Sequence, residues 1–95
     1  MKFMVSWKVH EDKRHEALKV FSAMSDEDDS TDLGGVRLIG RWHDLVGFTG
    51  VAIAETDEPK ELSAWLLNWN GVIDVASVPV LDDNEAREIG RQLQD

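Results

Sequence analysis

Residues 58–81, EPKELSAWLLNWNGVIDVASVPVL, decide how the rest of the chain is interpreted. Within this segment four large apolar side chains recur at i, i+3, i+4 and i+7, and they are Leu62, Trp65, Leu66 and Trp69. This spacing places all four on one face of a helix. An apolar strand, residues 72–80, follows after a two-residue turn. We predict that the strand lies beneath the helix, because no other nearby segment could bury two tryptophans.

Length, charge and cysteine content limit the possible classes of protein. The chain has 95 residues, and we expect residues 1–95 to form a single domain. Its 19 acidic and 10 basic residues give a formal net charge of -9. This charge argues against binding to nucleic acid or to an anionic membrane. The chain has no cysteine and no apolar run long enough to span a membrane, and its N-terminus does not resemble a signal peptide, so we expect a cytoplasmic protein without disulfides.

The remaining segments predict the strands and helices that pack with the helix and strand of residues 58–81. Residues 2–9 alternate between apolar and polar side chains, which predicts a half-buried strand with Phe3, Val5 and Trp7 on its inner face. A helix is predicted over residues 13–24, and strands over residues 36–43 and 46–55. Pro79 has no N–H to donate, so the last strand should lie at an edge of the sheet or should end at this residue. Beyond it, Asp82 and Glu85 have the spacing of a capping box and predict a C-terminal helix.

Residues 25–32 carry five acids and no apolar side chain, and we predict a solvated, mobile loop. The acids do not fit a calcium loop of the EF-hand type. Counted from Asp26, the position that requires glycine holds Thr31, and the position that requires a bidentate Glu holds Arg37.

The predicted order is β-α-β-β-α-β followed by a terminal helix. Two β-α-β halves on one antiparallel sheet form a ferredoxin-like α+β sandwich, with both crossover helices on one face. The other face of the sheet would be uncovered in the monomer although apolar side chains such as Met4 and Ile39 point into it. We therefore expect a homodimer in which two sheets pack face to face as a dimeric α/β barrel.

Several segments resemble a family of short bacterial proteins known only as a domain of unknown function. They are Lys2-Phe3-Met4-Val5, Arg41-Trp42, residues 55–59, Trp65 with Trp69, and the closing Val78-Pro79-Val80-Leu81. That family is similar to the dimeric α/β-barrel superfamily. The resemblance covers residues 2–81 and implies the same fold. The superfamily includes cofactor-free monooxygenases, isomerases, haem-degrading enzymes and ligand binders, so the resemblance implies no single activity.

The candidate site is a group of basic side chains on the strands. If Lys8, His10, Arg37, Arg41 and His43 share the uncovered face, they would line the interior of the barrel and attract a small anionic ligand. In that arrangement His43 or His10 could act as a general base and Arg41 could stabilise developing negative charge, so these three are the catalytic candidates. Lys8, Arg37 and Trp42 are the ligand-binding candidates. The alternative is that Arg37 and Arg41 pair with Asp44, Glu55 or Asp74 at the surface.

Trp7 and Trp42 fall on the predicted inner faces of their strands, so we expect core positions, with a lining for an aromatic ligand as the alternative. His10 and His15 are five residues apart and cannot chelate one zinc ion from a helix, and we predict no metal and no cofactor.

The leading hypothesis is a small-molecule-binding protein. The first alternative is a cofactor-independent monooxygenase or isomerase. The second is a protein-interaction module that uses the acidic segment 25–32 and the terminal helix. The sequence leaves open whether the protein is an enzyme.

Overall fold

A computed structural model describes residues 1–94 of the chain. One four-stranded antiparallel sheet and four α-helices make an α+β fold. In chain order the elements are β1 (Lys2–Val9), α1 (Arg14–Ser22), α2 (Asp26–Leu33), β2 (Arg37–Asp44), β3 (Thr49–Glu55), α3 (Pro59–Leu67), β4 (Ile73–Val80) and α4 (Asp83–Arg91). Short 3-10 turns, Glu11–Lys13 and Gln92–Gln94, precede α1 and follow α4.

The strands lie in the order β2-β3-β1-β4, and every neighbouring pair is antiparallel. The first strand is therefore central, which fits its alternation of apolar and polar side chains. The strand β4 lies at an edge, as Pro79 predicted, because a residue without an N–H interrupts a central ladder.

The core lies between one face of the sheet and the helices. Val5 is 1 % exposed, and Ala52 and Ala54 beside it on β3 are fully buried. Leu62 and Trp65 of α3 pack against this face, as the spacing in residues 58–81 predicted. The small side chains Ala52 and Ala54 on β3 allow helix α3, which carries Trp65, to lie close to the sheet.

A β-bulge in β2 reverses the facing predicted for the second half of that strand. Leu38 pairs with Ala54 and Gly40 pairs with Ile53, so Ile39 has no partner of its own. The extra residue shifts the alternation by one position, so that the following side chains exchange faces. Trp42 consequently lies on the uncovered face at 60 % exposure, and its predicted core position is wrong. Arg41 and His43 turn toward the helices.

The acidic segment is a helix, and the predicted loop over residues 25–32 is wrong. Ser25 accepts a hydrogen bond from the Asp28 backbone N–H, and the Asp28 carboxylate accepts one from the Ser25 N–H. Four consecutive acids occupy the first turn, where negative charge favours the positive end of the helix dipole. Gly34 ends the helix at a positive φ of 58°.

The terminal helix α4 begins with the predicted capping box between Asp82 and Glu85. It has no buried residue, and Ile89 and Leu93 remain 55 % and 85 % exposed. The described chain measures 54 × 27 × 19 Å, with a radius of gyration of 15.5 Å. A compact chain of this length would have a radius of about 12 Å. Among residues 1–94, no helix is long and apolar enough to cross a membrane.

Candidate functional site

A cavity of about 110 Å³ lies between the sheet and the helices. Its walls come from the inner faces of β1, β2 and β4, from α1 and α3, and from the turn between β2 and β3. Most lining side chains are apolar, and five are aromatic: Trp7, Phe21, Phe48, Trp65 and Trp69. Basic side chains also reach it, namely Arg14, Arg41 and His43. An apolar cavity with few polar groups is typical of a small-molecule site.

Arg41 is held on the helix side by a bidentate ion pair. Its Nη1 and Nη2 donate to Oδ1 and Oδ2 of Asp29 at 3.1 and 3.0 Å. The side chains are only 17 % and 25 % exposed, so the charge of Arg41 is largely neutralised within the protein. The guanidinium carbon also lies 4.8 Å from the centroid of the Phe21 ring. The pair ties α2 to β2 and fixes one wall of the cavity.

His43 lies between aromatic rings at the same wall. Its ring centroid is 4.9 Å from that of Phe21 and 5.6 Å from that of Trp7. Desolvation and the nearby positive charge of Arg41 lower the pKa of His43 below its usual 6.5. The imidazole is therefore neutral at pH 7 and can accept a proton.

Arg14 is the first residue of α1, and it differs from Arg41 in that no acid among residues 1–94 pairs with it. Its guanidinium carbon lies 5.3 Å from the centroid of Phe48. Its Nε is buried and donates to no group of the described chain. Phe48 has a positive φ of 55°, which is uncommon for a large side chain. Strained residues of this kind are frequent at ligand sites.

A second carboxylate, Asp32, joins α2 to α3. Its Oδ2 accepts hydrogen bonds from the indole N–H groups of Trp65 at 3.2 Å and Trp69 at 2.7 Å. Its Oδ1 accepts one from the Asn68 amide at 2.9 Å. Both indole rings line the cavity, so Asp32 orients two of its aromatic walls. 

The five basic residues predicted to share one face do not lie together. Arg41 and His43 line the cavity on the helix side. Lys8 and Arg37 are exposed near opposite ends of the sheet, opposite Thr49 and Glu55 of β3 respectively. His10 follows β1, and its Nε2 lies 3.0 Å from Asp74 Oδ1. The prediction that these five residues share one face is therefore wrong. The roles assigned to them and to Trp42 stay predictions.

The alternative, in which both arginines pair with acids at the surface, is correct for Arg37 and wrong for Arg41. Arg37 pairs with Glu55 at 3.3 Å, as that alternative expected. Arg41 pairs with Asp29, a residue in the segment predicted as a loop. Sequence reasoning missed Asp29 for that reason.

Arg14 was also missed, although the sequence contains a signal for it. Arg14 precedes Ala17, Leu18 and Phe21 at i, i+3, i+4 and i+7, so it occupies the apolar face of its helix. A cation at such a position points toward the core rather than toward solvent. Within residues 1–94, no group of three or more His, Cys, Asp or Glu side chains is arranged to hold a metal ion.

Comparison with known proteins gives a family and no activity. The family model described as Domain of unknown function (DUF3303) matches residues 1–94. No curated protein matches the chain.

Proposed function

The chain belongs to the DUF3303 family, a domain of unknown function, and we propose that it is a homodimeric small-molecule-binding protein whose ligand occupies the cavity between sheet and helices. The observation that carries this proposal is the cavity itself, about 110 Å³, partly open to solvent and lined mostly by aromatic and aliphatic side chains. A concave apolar pocket with a few basic groups at its wall is a candidate ligand site.

The uncovered face of the sheet supports the proposed dimer. Met4, Ile39, Trp42 and Val78 are all at least 40 % exposed there. Apolar patches of this kind on a sheet are normally covered by another layer. A second copy would bury the same residues on both partners, as two-fold symmetry requires.

The projecting helix α4 supplies a second argument for the dimer. The apolar side chains of α4 and of the 3-10 turn after it include Ala86, Ile89 and Leu93, and α4 buries none of its residues within the chain. An isolated helix of nine residues has little stability of its own. Packing of α4 against the other subunit would cover this stripe and stabilise the helix.

The strand order supports a ferredoxin-like assignment. The sequence of strands across the sheet, β2-β3-β1-β4, and the placement of helices between β1 and β2 and between β3 and β4 match the β-α-β-β-α-β scheme. In a face-to-face dimer of this type the cavity stays within each subunit. Ligand binding and dimerisation would therefore use opposite faces of one sheet.

The test is an NMR titration of the four tryptophan indole N–H resonances with single-ring aromatic compounds. Trp7, Trp65 and Trp69 line the cavity, whereas Trp42 lies on the other face. We expect saturable shifts of the first three resonances and little change at Trp42. Shifts at none of the three cavity tryptophans would contradict the proposal.

A second candidate function is a cofactor-independent isomerase or monooxygenase that acts in the same cavity. It is favoured by the lowered pKa of His43, which provides a neutral base beside the aromatic walls. If a substrate is turned over, His43→Ala should reduce kcat by about 10²- to 10⁴-fold. The indole resonances of Trp65 and Trp69, which do not stack on His43, should stay unchanged. Unchanged turnover in this variant would contradict a catalytic role for His43 and would leave ligand binding as the proposed function.

A further inference from the structure

The unpaired charge of Arg14 narrows the chemistry of the ligand. The chain holds 19 acidic residues, yet none of those described forms an ion pair with this guanidinium. Its buried Nε donates to no protein group. A buried donor without an acceptor is unfavourable, and more so when it carries charge. A ligand with an anionic oxygen would satisfy Arg14.

Two other charged groups at the cavity are already engaged. Arg41 is neutralised by Asp29 at 3.0 Å. The acid that lines the cavity, Asp44, accepts the Gly47 backbone N–H at 2.9 Å through its Oδ1. Asp44 is the last residue of β2, and its carboxylate forms no ion pair with Arg14. Arg14 is therefore the group best placed to bind one negative charge.

The size and walls of the cavity limit the rest of the ligand. A cavity of about 150 Å³ in another protein accepts benzene. The cavity here, about 110 Å³ before any adjustment of side chains, suits one ring rather than two. Its aromatic walls, which include Trp7, Phe21 and Trp69, favour a planar ring through offset or edge-to-face contacts.

We propose that the cavity binds a single-ring aromatic monocarboxylate, with the carboxylate on Arg14 and the ring among the aromatic walls. This inference depends on the proposed binding function, because it assigns the ligand class of the same cavity. Arg14 then acts as the charge anchor, and the guanidinium geometry permits a bidentate contact with a carboxylate.

The test compares benzoate with nitrobenzene, which has nearly the same shape and no net charge. Dissociation constants are measured from the indole shifts of Trp7, Trp65 and Trp69. We expect wild-type protein to bind benzoate at least tenfold more tightly than nitrobenzene. Arg14→Met should remove this preference while nitrobenzene still binds.

Lys19→Met is the matched control, since it removes one positive charge from the exposed side of the same helix. Its preference for benzoate should equal that of the wild type. Equal binding of both compounds to wild-type protein would overturn the carboxylate inference and leave the cavity as a ligand site. Shifts with neither compound would overturn the binding function itself. The comparison of benzoate with nitrobenzene on wild-type protein tests the carboxylate inference even if Arg14→Met fails to fold.

Discussion

The two faces of the sheet each carry a tryptophan above a glycine, and the two tryptophans have opposite surroundings. Trp7 packs over Gly50 on the helix side, where it lines the cavity. Trp42 packs over Gly40 on the uncovered side and is 60 % exposed. In both cases a Cβ on the glycine would collide with the indole ring. The difference shows that one face is covered within the chain, whereas the other is left exposed.

A single residue creates this difference in β2. The unpaired Ile39 moves Arg41 and His43 to the cavity and Trp42 to the outside. A bulge beside a site is a common means of redirecting side chains.

The largest contrast is between Trp65 and Trp42. Trp65→Ala removes a side chain that is 5 % exposed together with its hydrogen bond to Asp32, and should lower the free energy of unfolding by about 3–5 kcal/mol. Trp42→Ala should instead weaken dimerisation, so its effect should depend on protein concentration. Urea unfolding at several protein concentrations measures both. A concentration-independent loss of equal size in the two variants would contradict the assignment of faces.

The ion pair that holds Arg41 on the helix side should contribute less. Asp29→Ala leaves the partly buried guanidinium without its carboxylate and should cost about 1.5–3 kcal/mol. It should also increase amide hydrogen exchange in α2. Asp26→Ala is the control, because it removes an exposed acid from the same turn. An equal loss of stability in the two variants would show that the pair does not fix this wall.

Gly50 tests the close packing of Trp7. Gly50→Ala would place a Cβ against the indole ring and 2.8 Å from the Trp42 carbonyl oxygen, at a cost of about 1–3 kcal/mol. Gly71→Ala, which meets no atom within 4 Å, should be nearly neutral. The Trp7 indole shift reports displacement of the ring. An unshifted Trp7 resonance in a stable Gly50→Ala variant would contradict the packing described for the cavity.

The smallest effect concerns pH. Because the folded pKa of His43 is lowered, the unfolded state binds more protons just below pH 6.5. Stability is therefore fully present above about pH 6.5 and falls as the pH drops through the folded pKa. Unfolding at a series of pH values should show this slope, and His43→Asn should reduce it. A His43 titration midpoint at or above 6.5 by NMR would contradict the lowered pKa.

Periodicity predicted the elements well and the site poorly. The spacing of Leu62 to Trp69, the alternation of Phe3, Val5 and Trp7, and Pro79 led to the observed helices, sheet and edge strand. Each of these signals is local and depends on burial of one face. A bulge has no comparable signal, because the same residues fit both faces equally well until the partner strand is known.

The acidic helix was missed for a related reason. Composition favoured a loop, but Ser25 and Asp28 cap the segment, and Arg41, Trp65 and Trp69 bind its carboxylates. Those contacts join residues that are distant in sequence, and they outweigh the low helix propensity of the acidic segment. The position of Arg14 on an apolar stripe is a further signal that could have indicated the cavity in advance.

One measurement tests the division between the two faces most directly. Protein with its four tryptophans replaced by 5-fluorotryptophan gives one ¹⁹F resonance for each ring, and it is titrated with benzoate and then with a neutral gadolinium chelate. We predict that benzoate moves Trp7, Trp65 and Trp69, and that the chelate leaves Trp42 sharp because a second copy covers it. A Trp42 resonance that moves with benzoate and broadens with the chelate would contradict the division between a ligand-binding face and a dimer face.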